Sequence, residues 1–320
     1  MHLLVTGGAG FIGHHLLAAL YARYPAVQIT CIDNFDPFYD PAVKERNIHP
    51  FLNKTGFRLL RVDLGSISQE ALQALIPDPI DAILHLAAKA GVRPSILDPQ
   101  GYHQANVIGT QTLLEFAASK KILQFIFASS SSVYGINDHF PWKEDEALIP
   151  ISPYASTKLE GEQLGRLFSE QAGIRFIALR FFTVYGPGQR PDLAIHKFTK
   201  AISNGAPLTI YGDGSTSRDY TYVQDIVQGM LAALEYRGSD FEIINLGNHY
   251  TLALTDLIQA IEKAVGKKAE LHYGPEQPGD VPKTFADISK ARRLLGYDPA
   301  TSLELGLKNF VHWYRDQPAG

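Results

Sequence analysis

Short apolar, β-branched runs punctuate the first half of the chain and a little beyond, at residues 2–6, 28–33, 57–63, 82–87, 124–129 and 175–181. Longer stretches with helical spacing of apolar positions lie between them. Strands that read as almost continuous Val, Ile, Leu and Phe, alternating with helices, predict a parallel sheet covered on both faces and built from right-handed crossovers. A further run, Phe241 to Leu246, reads as a seventh strand of the same kind. The chain is therefore expected to leave this sheet and return to it.

From Tyr185 onward the texture changes. Gly186-Pro187-Gly188, Pro191, Pro207, Gly212-Asp213-Gly214, Gly274-Pro275 and Pro278-Gly279 break the chain into short pieces, as expected of a second, smaller α/β lobe. The predicted boundaries are 1–186 for the first domain, with a returning segment at about 219–251, and 187–218 plus 252–320 for the second. Helices are expected near 254–265 and 303–314, the last entered at Thr301 or Ser302.

Composition narrows the classes of function. With 45% hydrophobic and 19% charged residues the chain reads as globular, and its net charge of -4 gives no case for nucleic-acid binding. Cys31 is the one cysteine, which excludes an internal disulfide or a multi-thiolate metal site and suits a reducing cytoplasm. No apolar run approaches the roughly 18–20 residues that span a bilayer. A strand pattern starting at His2 leaves no room for a signal sequence, so a soluble, cytoplasmic protein is expected.

Candidate chemistry begins where the first strand ends. Gly7, Gly10 and Gly13 form G-x-x-G-x-x-G between a strand and a helix, where glycines allow a tight turn and close approach to a pyrophosphate. This places a Rossmann-type dinucleotide site on the sheet, with Phe11 and Ile12 in the same turn. Twenty residues after Gly13, Asp33 ends the second strand, and its carboxylate suits ribose hydroxyls and repels a 2′-phosphate, favouring NAD over NADP. Asn34 follows it. Asp63 and Leu64 close the third strand, with the Asp63 carboxylate a candidate for the adenine amine. Leu86, Ala87, Ala88 and Lys89 follow the fourth, where small side chains let a cofactor lie against the backbone. Asn106 reads as a helix-to-strand support.

Tyr154 and Lys158 form Y-x-x-x-K on one face of a helix entered at Pro153. A phenol titrates near 10, so it needs help to act as a base. A lysine charge about 4 Å away is worth roughly 4 kcal/mol at an effective dielectric near 20, enough to lower the phenol pKa. Ser130, Ser131 and Ser132 lie at the carboxyl end of the fifth strand, where hydroxyls face the ligand crevice. At least two of the four serines at 129–132 are expected to serve only backbone capping.

Taken together, the glycine turn, Asp33, the serine-rich strand end and Y-x-x-x-K resemble the extended short-chain dehydrogenases/reductases of the nucleotide-sugar epimerase and dehydratase group, over nearly the whole chain. The resemblance implies NAD as cofactor, a UDP-sugar as substrate, Tyr154, Lys158 and Ser130 as catalytic residues, and a homodimer built from helices near 101–119 and 153–171. Dehydratases of the group carry Asp-Glu where Ser131 and Ser132 stand, and UDP-glucuronate decarboxylases a glutamate at position 132. Arg180-Phe181-Phe182-Thr183-Val184-Tyr185-Gly186-Pro187, Arg190-Pro191-Asp192 and Ala90-Gly91-Val92-Arg93 are similar to UDP-glucuronate 4-epimerases. UDP-galactose epimerases instead have asparagine at the place of Thr183. Lys89, Pro94 and Gly188-Gln189 depart from the pattern.

This resemblance implies that Thr183 and Arg190 hold a C6 carboxylate and that Arg93 faces the substrate. It also implies that Arg218 meets the UDP diphosphate, Asp280 the uridine ribose, and Lys197 and Phe198 the uracil. A UDP-hexose 4-epimerase and a UDP-glucuronate decarboxylase remain the alternatives.

Overall fold

The computed structural model describes residues 1–275 and 281–317. Six strands come in succession: β1 (His2–Thr6), β2 (Gln28–Ile32), β3 (Phe57–Leu60), β4 (Ala82–His85), β5 (Gln124–Ser130) and β6 (Arg175–Phe181). Four short strands follow, β7 (Thr183–Tyr185), β8 (Leu208–Tyr211), β9 (Ser217–Arg218) and β10 (Tyr220–Tyr222). The chain then re-enters the main sheet as β11 (Phe241–Leu246), before β12 (Leu252–Ala253) and β13 (Leu271–Gly274). The main sheet has the order β11-β6-β5-β4-β1-β2-β3, and every pairing in it is parallel.

Seven strands and the late return agree with the apolar pattern. Two expected strands were too long. β3 stops at Leu60 because Asp63 Oδ1 accepts the Gly65 N–H at 2.8 Å, an Asx turn that leaves no ladder to continue. β4 stops at His85 because beyond it the Thr6 hydroxyl, rather than a neighbouring strand, accepts the Ala87 N–H.

Helices cover both faces. On one side α1 (Phe11–Arg23), α2 (Pro41–Ile48) and α9 (Val223–Glu235) bury Leu16, Leu20, Ile226 and Met230. On the other, α3 (Gln69–Leu75), α6 (Gly109–Ser119) and α7 (Pro153–Ala172) lie over Phe125, Phe127 and Phe176. Between β4 and α6 the chain forms α4 (Val92–Leu97) and α5 (Pro99–His103), both against α7, the latter joined to α6 by a wide π turn at Gln104–Ile108. The second lobe has its own core, made by α8 (Ala194–Asn204), α10 (Leu254–Val265) and α12 (Leu303–Arg315) around Tyr185, Ile210 and Phe310, while α11 (Ser289–Leu295) packs back on β11. The last helix is capped by Ser302.

The strand order reverses between β1 and β4, so the helices leave in opposite directions and a crevice opens at the carboxyl ends of the strands. The second lobe closes over that crevice. Among the described residues no helix is long and apolar enough to cross a membrane, and no cluster of His, Cys, Asp and Glu could hold a metal.

Candidate active site

One cleft of about 1160 Å³ lies between the lobes. It is lined by every sequence-predicted site residue except Asp280, which lies outside the described residues. The β1–α1 turn brings Gly7, Gly10, Phe11, Ile12 and Gly13, and the ends of β2 and β3 bring Asp33, Asn34, Asp63 and Leu64. Leu86 to Lys89 and Arg93 come from the loop after β4, Ser130 to Ser132 from the end of β5, and Tyr154 and Lys158 from α7. The second lobe supplies Thr183, Arg190, Lys197, Phe198 and Arg218.

The glycine turn is a cradle that side chains would fill. Gly7 has φ of +73°, and a Cβ there would stand 2.7 Å from Ala87 N; one on Gly13 would stand 2.1 Å from Gly7 O. Helix α1 starts at Gly10 with no side-chain cap, so its first-turn N–H groups and dipole are left for an anion. Asp33 is fixed by the Ala9 N–H at 3.1 Å and the Phe35 N–H at 2.9 Å, one to each oxygen, which leaves each oxygen further lone pairs for a ribose diol. Asp63 is tied by Gly65 N–H and by the Asn34 amide at 3.3 Å. A dinucleotide with a free ribose diol fits these groups.

At the floor of the cleft Tyr154 packs edge-on against Tyr102, ring centroids 6.2 Å apart, with Ser130 lining the cleft beside it. Burial raises the phenol above its ordinary pKa, while the Ser130 hydroxyl and the Arg190 charge pull it down. The sequence assigned that lowering to Lys158, and here the expectation fails. Lys158 is itself buried, donates to Ala128 O at 2.7 Å, and is driven by desolvation down to about 7. A lysine that has lost much of its own charge gives the phenol little field.

The serine run divides into structural and cleft-lining members, with one backbone cap among its side-chain bonds rather than the two or more the sequence reading has. Ser129 is buried and donates to Glu162 at 2.5 Å. Ser130 caps the turn after β5 by accepting the Ser132 N–H. Ser132 lines the cleft, but its Oγ is buried without a protein partner, an exception to the rule that buried hydroxyls are paired. Glu162 is also held bidentately by Arg180 at 2.9 and 2.8 Å, in a pair 2% and 1% exposed. Arg180 thus carries structure beneath the site.

Arg190 lines the cleft, as the sequence reading has it, with part of its guanidinium committed. Its guanidinium forks onto Asp192 at 2.9 and 2.7 Å, donates to Ala90 O at 3.1 Å and lies over the Phe38 ring, so it is already engaged by a carboxylate of its own loop. Thr183 also lines the cleft, with its backbone N–H bonded to Asp219 O. Arg93 reaches across and lies over the Tyr211 ring of the second lobe at 5.3 Å. Lys89 pairs with Asp98 at 2.8 Å. Asn106 supports rather than binds: its side chain bonds both Lys89 N and Lys89 O. Sequence reasoning passed over Ser129–Glu162–Arg180 and His85, because each acts through partners remote in the chain.

A doubly wound parallel sheet, a glycine cradle with an adjacent ribose-binding carboxylate, and a Ser-Tyr-Lys floor define a dinucleotide-dependent short-chain dehydrogenase/reductase fold. The chain belongs to the NAD dependent epimerase/dehydratase family, whose model matches residues 3–247. It is similar to the UDP-glucuronate 4-epimerase of Thermodesulfobacterium geofontis, 37% identical, with 98% of this chain and 96% of the relative covered. It is also similar to an uncharacterized UDP-glucose epimerase, YtcB, of Bacillus subtilis, 41% identical over 97% of each chain. Among solved structures, UDP-glucuronic acid 4-epimerase from Bacillus cereus, in complex with UDP-glucuronic acid and NAD, superposes with a TM-score of 0.92. That structure is 40% identical and the match covers 98% of this chain and 99% of that one.

Proposed function

We propose that this chain is an NAD-dependent epimerase that inverts C4 of UDP-glucuronic acid to give UDP-galacturonic acid through a 4-keto sugar. The observation that carries the reading is the convergence, in one cleft, of a dinucleotide cradle, the Tyr154–Ser130 pair, and a hydroxyl-lined wall with no carboxylate at 131 or 132. Similarity to the uronate epimerases of Thermodesulfobacterium geofontis and Bacillus cereus supports the substrate.

NAD held by the Gly7–Gly13 turn and Asp33 supplies a hydride acceptor and donor at C4. The protein's own part is proton handling and orientation. Tyr154, beside Ser130, would act as its phenolate, a form that the Arg190 charge and the positive nicotinamide ring of bound NAD favour; it takes the C4 hydroxyl proton and later returns it. Lys158, near neutrality in its pKa, fixes the end of β5 through Ala128 O beside that hydroxyl. Ser132 and Thr183 line the sugar end of the cleft, and their hydroxyls suit a C6 carboxylate; Arg190 joins them through Nη1 while Nε and Nη2 stay on Asp192. Arg218 and Lys197 are the cationic groups for the diphosphate and uridine end.

The same reading assigns residues 1–186 and 219–251 to NAD binding and the remainder to the UDP-sugar. A cytoplasmic homodimer is part of the proposal. Its support is a single buried thiol and exposed apolar side chains on α4 and α7, namely Ile96, Leu97 and Leu167.

The test is proton NMR of the purified enzyme with UDP-glucuronic acid, UDP-glucose and UDP-N-acetylglucosamine, with no NAD added. New anomeric and H4 signals of UDP-galacturonic acid are expected from the first substrate alone. UDP-xylose as product, or turnover of the neutral sugars only, rejects the proposal.

A further inference from the structure

We infer that His85 is a positioning residue whose neutral ring, protonated on Nε2, ties the backbone facing the dinucleotide to the helical turn that carries Tyr154. The inference rests on the reading of the cleft given above. His85 ends β4, is 2% exposed, and lies between Phe125 and Phe127 with ring centroids 5.9 and 5.8 Å away.

The hydrogen bonds around it fix the direction of every proton. Thr6 Oγ1 accepts the Ala87 N–H at 3.1 Å and stands 2.6 Å from His85 Nδ1. The amide takes one Thr6 lone pair and leaves the Thr6 proton free to point at Nδ1, which accepts it once Nε2 is the protonated nitrogen. On the other side Nε2 stands 2.9 Å from Thr110 Oγ1, and the Thr110 hydroxyl donates to Asn106 O at 2.6 Å. Nε2 must therefore donate. The opposite tautomer would leave the Thr6 proton without the acceptor it now has. A charged ring would do the same. Burial pulls the ring down to about 3, in keeping with neutrality.

From Asn106 the chain continues to the catalytic helix. The Asn106 amide donates to Thr157 Oγ1 at 3.0 Å, and the Thr157 hydroxyl donates to Tyr154 O at 2.9 Å. The same side chain clamps Lys89 N at 2.8 Å and Lys89 O at 3.0 Å. The π turn at Gln104–Ile108 is where this branch point sits, a place where the helical ladder is widened. One end of the relay is thus the backbone of Ala87 and Lys89, which line the cleft, and the other is the backbone of Tyr154. A core histidine satisfied for its own sake would not need both ends at the site. Small displacements of a reacting group are costly, about a hundredfold for 1 Å, so a relay of fixed protons has leverage on rate.

The experiment uses NAD-loaded enzyme and the variants His85→Leu, Thr110→Val and His85→Gln. Glutamine offers an acceptor and a donor in place of Nδ1 and Nε2, so it restores the relay without the ring. His85→Leu and Thr110→Val are expected to lower kcat about tenfold to a hundredfold at nearly unchanged KM, and to shed NAD faster during gel filtration. His85→Gln should recover most of both. Imidazole ¹⁵N spectra of the unmutated enzyme should report the Nε2–H tautomer without titration from about pH 5.5 to 8.5.

An Nδ1–H tautomer, an imidazolium in that range, or native kcat and NAD retention in Thr110→Val would overturn the inference. So would a glutamine variant no better than leucine. If leucine prevents folding, Thr110→Val and the tautomer decide alone. NAD retention and the tautomer do not depend on which sugar is turned over, so a wrong substrate assignment shows itself separately in the unmutated enzyme's products.

Discussion

A buried lysine sets the tension at the centre of this site. Lys158 falls from its ordinary 10.5 to about 7 because its charge is desolvated. Below about pH 7 the folded and unfolded chains both carry the proton, and folding bears the full cost of burying it. Between about 7 and 10.5 only the unfolded chain carries it, so the cost fades as pH rises. Replacing Lys158 by Met should therefore raise the thermal midpoint, relative to the parent, more at about pH 6 than at about pH 10, while abolishing turnover. An equal difference at the two pH values would contradict the assignment. One turn further on, Glu162 neutralises Arg180 and accepts from Ser129. Glu162→Ala leaves a guanidinium buried without its partner, and a loss of about 3–5 kcal/mol in denaturant titrations is expected. At this scale the sequence disclosed residue types and their rough place. It could not disclose that Lys158 spends its ammonium on Ala128 O or that Arg190 pairs with Asp192, because both choices depend on burial and on competing acceptors.

Helix α7 shows how an element places chemistry. Ser152 caps it by accepting the Ala155 N–H, Pro153 occupies its first turn, and Gly173 ends it at φ 66°. Between these points Gly161 and Gly165 let it approach the sheet so closely that a Cβ would stand 2.4 Å from the Phe127 ring and 2.1 Å from the Phe176 ring. Those rings pack on each other, with Phe125 stacked on Phe176 as well, and cannot turn away. Alanine at position 165 would gain about 1 kcal/mol of helix propensity. Overpacking at about 1–3 kcal/mol should outweigh it, giving a lower urea midpoint. A stabilised Gly165→Ala would show that the helix stands off more than described. The seven strands and the long helices were legible because apolar runs mark them. Strands β7, β9, β10 and β12 are two or three residues each, too short for any period, and the π turn at 104–108 has the same apolar spacing as a plain helix.

For the molecule as a whole, the two lobes share the cleft where ligands would sit, with Arg93 over Tyr211 as a bridge across it. A UDP-sugar contacting both should couple them. At about a hundredfold above Kd, UDP-glucuronic acid is expected to stabilise NAD-loaded protein by about 2.7 kcal/mol. Amide exchange should slow in β8 and α8 as well as at residues 87–93; protection confined to one lobe would count against a shared site. The order of strands has a further consequence, for biosynthesis. β11 is the outer neighbour of β6, whose residues after Arg175 are all buried. Translation delivers β6 first, and its partner only after the second lobe has begun to emerge. For that interval a nascent chain carries an unpaired, apolar strand edge, so the ribosome-bound intermediate is a client for chaperones in a way the finished molecule is not.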